Sequence, residues 1–443
     1  MRVALWFCVL VLTTTSIARP QEKPGPPVTT PAASRAAGRS LTIEEAEAIG
    51  LKNNPQITVG KLRALQAQEH VREVRSAWLP TIGLELTAVG AQEGSRLATE
   101  YLTVGRLYSR LAGGASASQL ITDFGRTGNL VSSSRYEAKA ADENAVATKQ
   151  EIILAVDQAF YNTLETKALA QVAAETIRAR HTLLDQVQAL TDAKLKSDLD
   201  LSFAKVDMAR ARLLQLDAQN NYDASLSVLS AILGYPDRQE FVPVEPPMQM
   251  TPPSPDAAPL IQQALELRPE LRGLRDEVSA AEKFSRAEHD LYWPTVNALG
   301  VVGQVPIRNP NIPSWYGAAG VNINIPVFNG FLFSARAKTA DYGTELKRKQ
   351  LQDLEDNVAR DVRNAWLDSG KAFERLSVTQ QLREQALLGL QLAEARYKLG
   401  LSSIVEYTQA ELQKTDADIQ DTDAHYRYLV SQIQLAYEMG LTR

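Results

Sequence analysis

The stretch EARYKLGLSSIVEYTQAEL, residues 394–412, reads as a helix interrupted at Lys398, Leu399 and Gly400, and KLKSDLDLSFAKV, residues 194–206, carries the same interruption 206 residues earlier. One interruption written twice marks an internal duplication, and a long-period repeat sets the architecture before local detail does. AVDQAFYNTLE matches DVRNAWLDSGK with Phe160 on Trp366, and the ILG ending at Gly234 matches the EMG ending at Gly440, both at the offset of 206. Nearer the start of each copy the offset is 214: AIGLKNNPQI matches QQALELRPEL with Pro55 on Pro269, and Pro80 falls on Pro294. The first copy therefore holds eight extra residues between Pro80 and about Leu120. Insertions concentrate in exposed loops, so an exposed loop is expected there.

Each copy repeats four kinds of segment. A helix of moderate length opens it, Leu41–Ser76 and Leu260–Leu291, with Thr42 and Glu45 at capping-box spacing and Pro80 and Pro294 as stops. Strands follow, near 81–90 and 104–121 in the first copy and near 295–303 and 315–328 in the second. In TIGLELTAV, Ile82, Leu84, Leu86 and Ala88 oppose Thr81, Gly83, Glu85 and Thr87; in WYGAAGVNINIPV, Trp315, Val321 and Ile323 oppose Tyr316, Asn322 and Asn324. Aromatic residues gather at the strand ends, and Trp78, Trp293, Trp315 and Tyr316 are read as a membrane girdle. Proline-free helical runs then cover 126–192 and 334–399, each a rod of about 100 Å at 1.5 Å per residue. The last helices, 198–233 and 402–439, end at a glycine, where a helix C-terminus favours it.

The 443-residue chain carries 47 basic and 52 acidic side chains without a basic block, so it offers no nucleic-acid surface. The start, MRVALWFCVLVLTTTSIARPQ, combines an early arginine, an apolar run from Val3 to Leu12 and small residues Ser16 and Ala18, the pattern of a signal peptide over residues 1–18. Its apolar run is roughly half of what a membrane anchor requires. Cys8, the only cysteine, lies inside it, which leaves the mature chain without a thiol. Residues 19–40 read as a flexible N-terminus. The copies, 41–234 and 260–443, are joined by a connector at 235–259 whose eight prolines forbid a helix. The alternative for that connector is a mobile linker between independent domains. His70, His181, His289 and His425 are scattered and share no metal-ligand spacing, and no phosphate-cradling loop or nucleophile elbow is present. No enzymatic activity, catalytic residue, cofactor or metal site is expected.

Amphipathic strands of about 9–11 residues suit an outer membrane, but four cannot close a barrel, and lipid tolerates no open sheet edge. Three copies would supply twelve strands and twelve long helical segments around one tube. The fold class expected is mainly α with a membrane β portion, internally duplicated, a long helical barrel below a twelve-stranded barrel shared by three chains.

Asn54 and Pro55, the WLP and YWP breaks, FGR at 124–126, PVFNG at 326–330, and RYKLGLSS at 396–403 with Glu406 and Ala410 follow one another in a specific order and spacing. On these residues the chain resembles the TolC-like outer membrane efflux protein family, the outer membrane factors. The resemblance implies a homotrimer in the cell outer membrane, in contact with its lipid and extending into the periplasm. It also implies a periplasmic adaptor (a membrane fusion protein) and an inner-membrane pump of RND or ABC type, moving drugs, other small molecules or proteins outward. The outer membrane component of type I protein secretion is the alternative within this class. A non-channel periplasmic coiled coil would share the rods and the export signal but has no need of the strands.

The resemblance also assigns residues. The interruptions become periplasmic tips where the adaptor docks, at Lys194, Leu195, Lys196 and Ser197 and at Leu399, Gly400, Leu401 and Ser402. Lys194 stands in the glycine place, which implies a tighter or less standard first turn. Glu406 matches an acid that narrows the entrance, whereas Gln409 replaces a second one. Asp200 and Tyr397 match a pair whose hydrogen bond helps hold the tube closed, and Ser402 replaces an arginine of the other closing link. Charge alone supports a gate at Glu406, since three carboxylates around an axis attract cations. The plainer reading is a solvated acid favoured near a helix start.

Overall fold

The computed structural model describes residues 39–92, 96–99, 102–106, 109–247, 250–308, 310 and 313–442; the signal peptide read at 1–18, and residues 19–38, lie outside the described residues. Helix α1 (Ile43–Asn53) opens at Thr42, whose Oγ1 accepts from the Glu45 N–H while the Glu45 carboxylate accepts from the Thr42 N–H, both at 3.3 Å. This is the capping box. The helix does not run on to Ser76. Pro55 has no N–H and pushes the residue before it out of the helical region, so Asn54 sits at φ −68°, ψ 122° and α2 (Pro55–Arg75) starts afresh. Arg268, at φ −63°, ψ 124°, makes the same break between α5 (Ala258–Leu267) and α6 (Pro269–His289). The single opening helix expected in each copy is therefore two.

The duplication is visible in the lengths. Helices α3 (Arg126–Asp192) and α7 (Leu332–Lys398) have 67 residues each, and α4 (Asp198–Ile232) and α8 (Ile404–Glu438) have 35 each. α3 packs along α4, α7 along α8, and α3 also lies against α8. Their main core joins Val156, Phe160 and Tyr161 of α3 to Leu229 of α4 and to Tyr428 and Leu429 of α8. Strand β1 (Arg39–Leu41) pairs with β6 (Phe241–Pro243) and contributes the fully buried Leu41 to this core, so the end of the expected flexible N-terminus is ordered.

The proline-rich connector is a strap fixed to three helices. Thr251 exchanges two hydrogen bonds with Tyr428 Oη on α8, its N–H donating at 3.1 Å and its carbonyl accepting at 2.7 Å. Trp366 Nε1 on α7 donates to the Ser254 carbonyl at 2.7 Å, and Lys167 Nζ on α3 donates to the Pro243 carbonyl at 3.1 Å. Among its described residues the connector is therefore held at Pro243, Thr251 and Ser254, which speaks against a mobile linker.

Strands β2 (Thr81–Val89), β5 (Arg110–Thr122), β7 (Thr295–Arg308) and β8 (Trp315–Asn324) form one antiparallel sheet in the order β2-β5-β7-β8. A separate hairpin, β3 (Arg96–Thr99) with β4 (Leu102–Arg106), occupies the interval of the eight extra residues, so the strand expected at 104–121 is also two. Among the described residues no helix is long and apolar enough to cross a membrane.

Candidate functional site

The tips are built by the backbone. At the second tip Gly400 adopts φ 73°, its N–H donates to the Tyr397 carbonyl at 3.1 Å, and the Leu401 N–H reaches back to the Arg396 carbonyl at 2.8 Å. At the first, Lys194 adopts φ 59°, donating to the Thr191 carbonyl at 2.9 Å, and Leu195 donates to the Leu190 carbonyl at 2.8 Å. Both are the Schellman closure of a helix. The tighter or less standard first turn expected from Lys194 is not found, because a lysine takes up the left-handed conformation at a cost of about 1–2 kcal/mol.

The acids that follow behave differently. Asp200 completes a capping box at the start of α4, its carboxylate accepting from the Ser197 N–H at 3.2 Å and from Ser197 Oγ at 3.0 Å. Glu406 gives only its N–H to Ser403 Oγ, at 3.4 Å, and its exposed carboxylate lies 3.3 Å from Arg396 Nε. The expected Tyr397–Asp200 hydrogen bond is not formed. Tyr397 is buried, its Oη has no partner, and its ring stacks on Tyr407 at 5.5 Å with Lys196 Nζ 4.2 Å above it. Burial, and secondarily the Asp200 charge, raises the Tyr397 pKa above the ordinary phenol value. Asp200 is engaged by its cap, so Tyr397 joins the two tips by packing. Ser402 Oγ is likewise buried without a partner.

Above the tips runs a seam between α3 and α8. At its foot Leu183 and Val187 of α3 and Ile404 of α8 pack with Ala204 of α4 and Tyr397 of α7, and beyond them Arg180 of α3 pairs with Glu411 of α8 in an ion pair whose side chains are 7% and 6% exposed. Burial lowers the Arg180 pKa, with Asp207 and Tyr407 opposing the shift.

At the opposite end of the chain's long axis of helices lies the sheet. Trp78 accepts at its carbonyl from Gln119 Nε2 at 2.7 Å, and Trp293 stacks on Phe124 at 5.9 Å, both beside the strand ends that lead into helices. Trp315 stands at the far end of β8 and is exposed. Tyr316 is not part of that set. Opposed residues in antiparallel strands share a face, and Tyr316 is opposite Gly303, Gly303 opposite Gly114, and Gly114 opposite Glu85. Tyr316 therefore belongs to the polar face, as a period of two dictates.

Each histidine pairs with a carboxylate: His70 with Glu73, His181 with Asp185, His289 with Asp341 and His425 with Glu245. Among the described residues no three metal-ligating side chains gather.

Comparison with known proteins meets this geometry. The family model for outer membrane efflux proteins matches residues 49–235 and 260–441, one match per copy. The chain belongs to the outer membrane efflux protein family. This efflux protein is 22% identical over 412 residues to the outer membrane protein TolC of Salmonella enteritidis, covering 88% of the chain and 79% of that relative. Its fold is similar to the outer membrane protein VceC of Vibrio cholerae, with TM-score 0.78 and 19% identity over 90% of the chain and 96% of VceC. It is also similar to the Campylobacter jejuni CmeC outer membrane channel, with TM-score 0.77 and 15% identity over 90% of the chain and 86% of CmeC. As a member of this family the protein is an efflux channel component, and the relatives named are outer membrane proteins.

Sequence reasoning missed three residues of the efflux protein's tip region, Arg180, Glu411 and Arg396. A signal existed for the first two: Arg180 lies three and seven positions before Leu183 and Val187, and Glu411 seven after Ile404, so both are charges on an apolar stripe.

Proposed function

We propose that three copies of this efflux protein close a twelve-stranded barrel in the outer membrane over a tube of long helices, forming a conduit from the periplasm to the exterior. The observation that carries the reading is the sheet. Among the described residues β2 and β8 each have a neighbour on one side only, and Ile82, Leu84, Leu86, Val321 and Ile323 on one face are 60–88% exposed. In lipid each unpaired backbone group costs several kcal/mol, and seating β8 of one copy on β2 of the next removes both edges. A ten-residue strand at about 3.3 Å per residue, tilted by about 40°, spans about 25 Å, the height of an outer-membrane apolar band. The Trp78 and Trp293 rings at one end of the strands and Trp315 at the other fit the two interfaces of that band.

The tips are then the periplasmic entrance. Lys194, Leu195, Lys196, Ser197, Leu399, Gly400, Leu401 and Ser402 present the adaptor's docking surface. Glu406 lines the opening with its charge partly offset by Arg396, while Asp200 and Tyr397 hold the tip fold. An adaptor and an inner-membrane pump of RND or ABC type supply the substrate, a drug or another small molecule, and the conduit performs no catalysis.

Detergent extracts of outer membranes test the assembly: a heat-resistant species of three chains that forms pores in planar bilayers is expected, and a soluble periplasmic monomer would overturn the reading. A deletion strain that gains drug sensitivity is expected; loss of secreted proteins with unchanged sensitivity would assign the channel to type I secretion instead.

A further inference from the structure

The polar face of the sheet holds a built feature. At one level across the four strands the register aligns Glu85, Gly114, Gly303 and Tyr316. Tyr316 does not stand out from the sheet. Its side chain lies across both glycines: a Cβ on Gly303 would sit 2.5 Å from Tyr316 Cζ, and one on Gly114 would sit 2.4 Å from Tyr316 Oη. Neither position admits another residue while the ring lies there. Glycine weakens a strand interior unless something must approach closely, and here the ring approaches together with the Val302 and Gly113 carbonyl oxygens, each 2.6 Å from where a Cβ would sit on Gly114 and Gly303 respectively. The phenol thus extends along the row to Gly114, whose neighbour on the next strand is Glu85. The Glu85 carboxylate is positioned by Ser116 Oγ, which donates to it at 3.2 Å. Glu85 is also the only acidic residue of β2, β5, β7 and β8.

We propose that this row is a binding level for organic cations inside the barrel, made of the Glu85 carboxylates and of Tyr316 rings laid flat on the wall. The inference rests on the trimeric channel reading. Twelve strands about 4.8 Å apart and tilted by about 40° enclose a backbone diameter of roughly 24 Å. Three carboxylates and three rings then alternate around the bore, and rings lying flat leave it open. A flat aromatic or quaternary cation gains from the carboxylate field within low-dielectric walls and from the ring face. An anion gains from neither.

The test uses the full-length protein in planar bilayers, with tetraphenylphosphonium as the probe and a KCl gradient for selectivity. Glu85→Gln is expected to lower the potassium-over-chloride permeability ratio about two- to threefold in 0.1 M salt, with the difference fading at 1 M as screening shortens to about 3 Å. It should also weaken tetraphenylphosphonium block. Tyr316→Leu is expected to weaken block two- to fivefold at an unchanged ratio, while Tyr316→Phe keeps wild-type block because the ring remains. Heat-resistant oligomers of each variant show that assembly is intact. Conducting Glu85→Gln pores with wild-type ratio and block would overturn the inference alone. Block that survives Glu85→Gln but is lost on Glu406→Gln would place the cation at the tip and overturn it too. A wild-type protein that forms no pore would overturn the channel reading and this inference with it.

Discussion

Where the first half of the chain breaks its opening helix, the Asn54 side-chain amide donates to the Ile232 carbonyl at the end of α4, at 3.4 Å. At the matching joint of the second half, Arg268 donates to the Glu438 carboxylate at the end of α8, at 2.7 Å, and to Glu270. The glycine after each helix presses on the joint: a Cβ on Gly234 would meet Asn53 at 2.9 Å, and one on Gly440 would meet the Arg268 nitrogen at 3.1 Å. The tips repeat the lesson. Lys194 and Gly400 close the same hydrogen-bonded turn, yet Asp200 caps its helix while Glu406 turns to Arg396. Proline breaks, left-handed residues and caps recur because the backbone needs them, and the side chains laid on that frame have diverged. Divergence between the halves therefore locates what is particular to each.

The largest divergence is the Arg180–Glu411 pair, whose repeat-mates are Ala386 and Lys205. Removing one partner strands a buried charge, so Arg180→Ala should cost about 3–5 kcal/mol in denaturant unfolding, whereas Arg180→Met with Glu411→Leu should come close to wild type. A single variant as stable as wild type would show that the α3–α8 seam does not depend on the pair.

Next is Asp157, on α3 against Glu47 of α1, where the second half has Arg363 and Ile261. Burial first, and Glu47 second, push the Asp157 pKa up to about 8. The folded state then holds a proton that the unfolded chain releases near pH 4, so this contribution is complete at low pH and is lost as pH rises through about 8. The unfolding free energy should fall from pH 5 to pH 8, with a slope of at most about 1.4 kcal/mol per pH unit, and thermal midpoints should fall with it. Asp157→Asn should flatten that slope; an unchanged slope in the variant would remove the asymmetry between the halves at this site.

Exchanging the turn residues is a smaller perturbation. Lys194→Gly should stabilise the first tip by up to about 1 kcal/mol, and Gly400→Lys should destabilise the second by about 1–2 kcal/mol. Hydrogen exchange at Leu195 and Leu401 reads each turn locally, and effects of equal sign would break the equivalence of the two closures.

The long helices were legible because 67 residues without proline after a strand region leave little alternative, and the turns because they recur at a fixed offset. The breaks at Pro55 and Pro269 are also written in the sequence, as X-Pro pairs, but Pro80 and Pro294 alone are read as stops. The face of Tyr316 follows from counting in twos from Trp315, yet its position at a strand end drew it into the girdle. What no local pattern could give is pairing across the fold. Arg180 meets Glu411 from 231 positions away, and Glu85 shares a row with Tyr316 only once the register of three strand pairs is fixed.

The smallest expected effect falls on Tyr397, where resemblance and geometry diverge most sharply. If its hydroxyl bonded Asp200 and held the entrance shut, Tyr397→Phe would raise single-channel conductance. In this structure the hydroxyl is buried without a partner, and the contacts of the residue are the Tyr407 face, the Lys196 ammonium and the Leu183–Val187 stripe. Phenylalanine keeps all of these and removes an unsatisfied polar group, so stability should hold or rise by up to about 1 kcal/mol, with conductance unchanged. Asp200→Asn then separates two roles for one residue. It weakens the cap of α4 by about 1 kcal/mol or less without touching the ring stack, so a conductance increase there, with Tyr397→Phe silent, would assign the closing role to the capping box of the first tip.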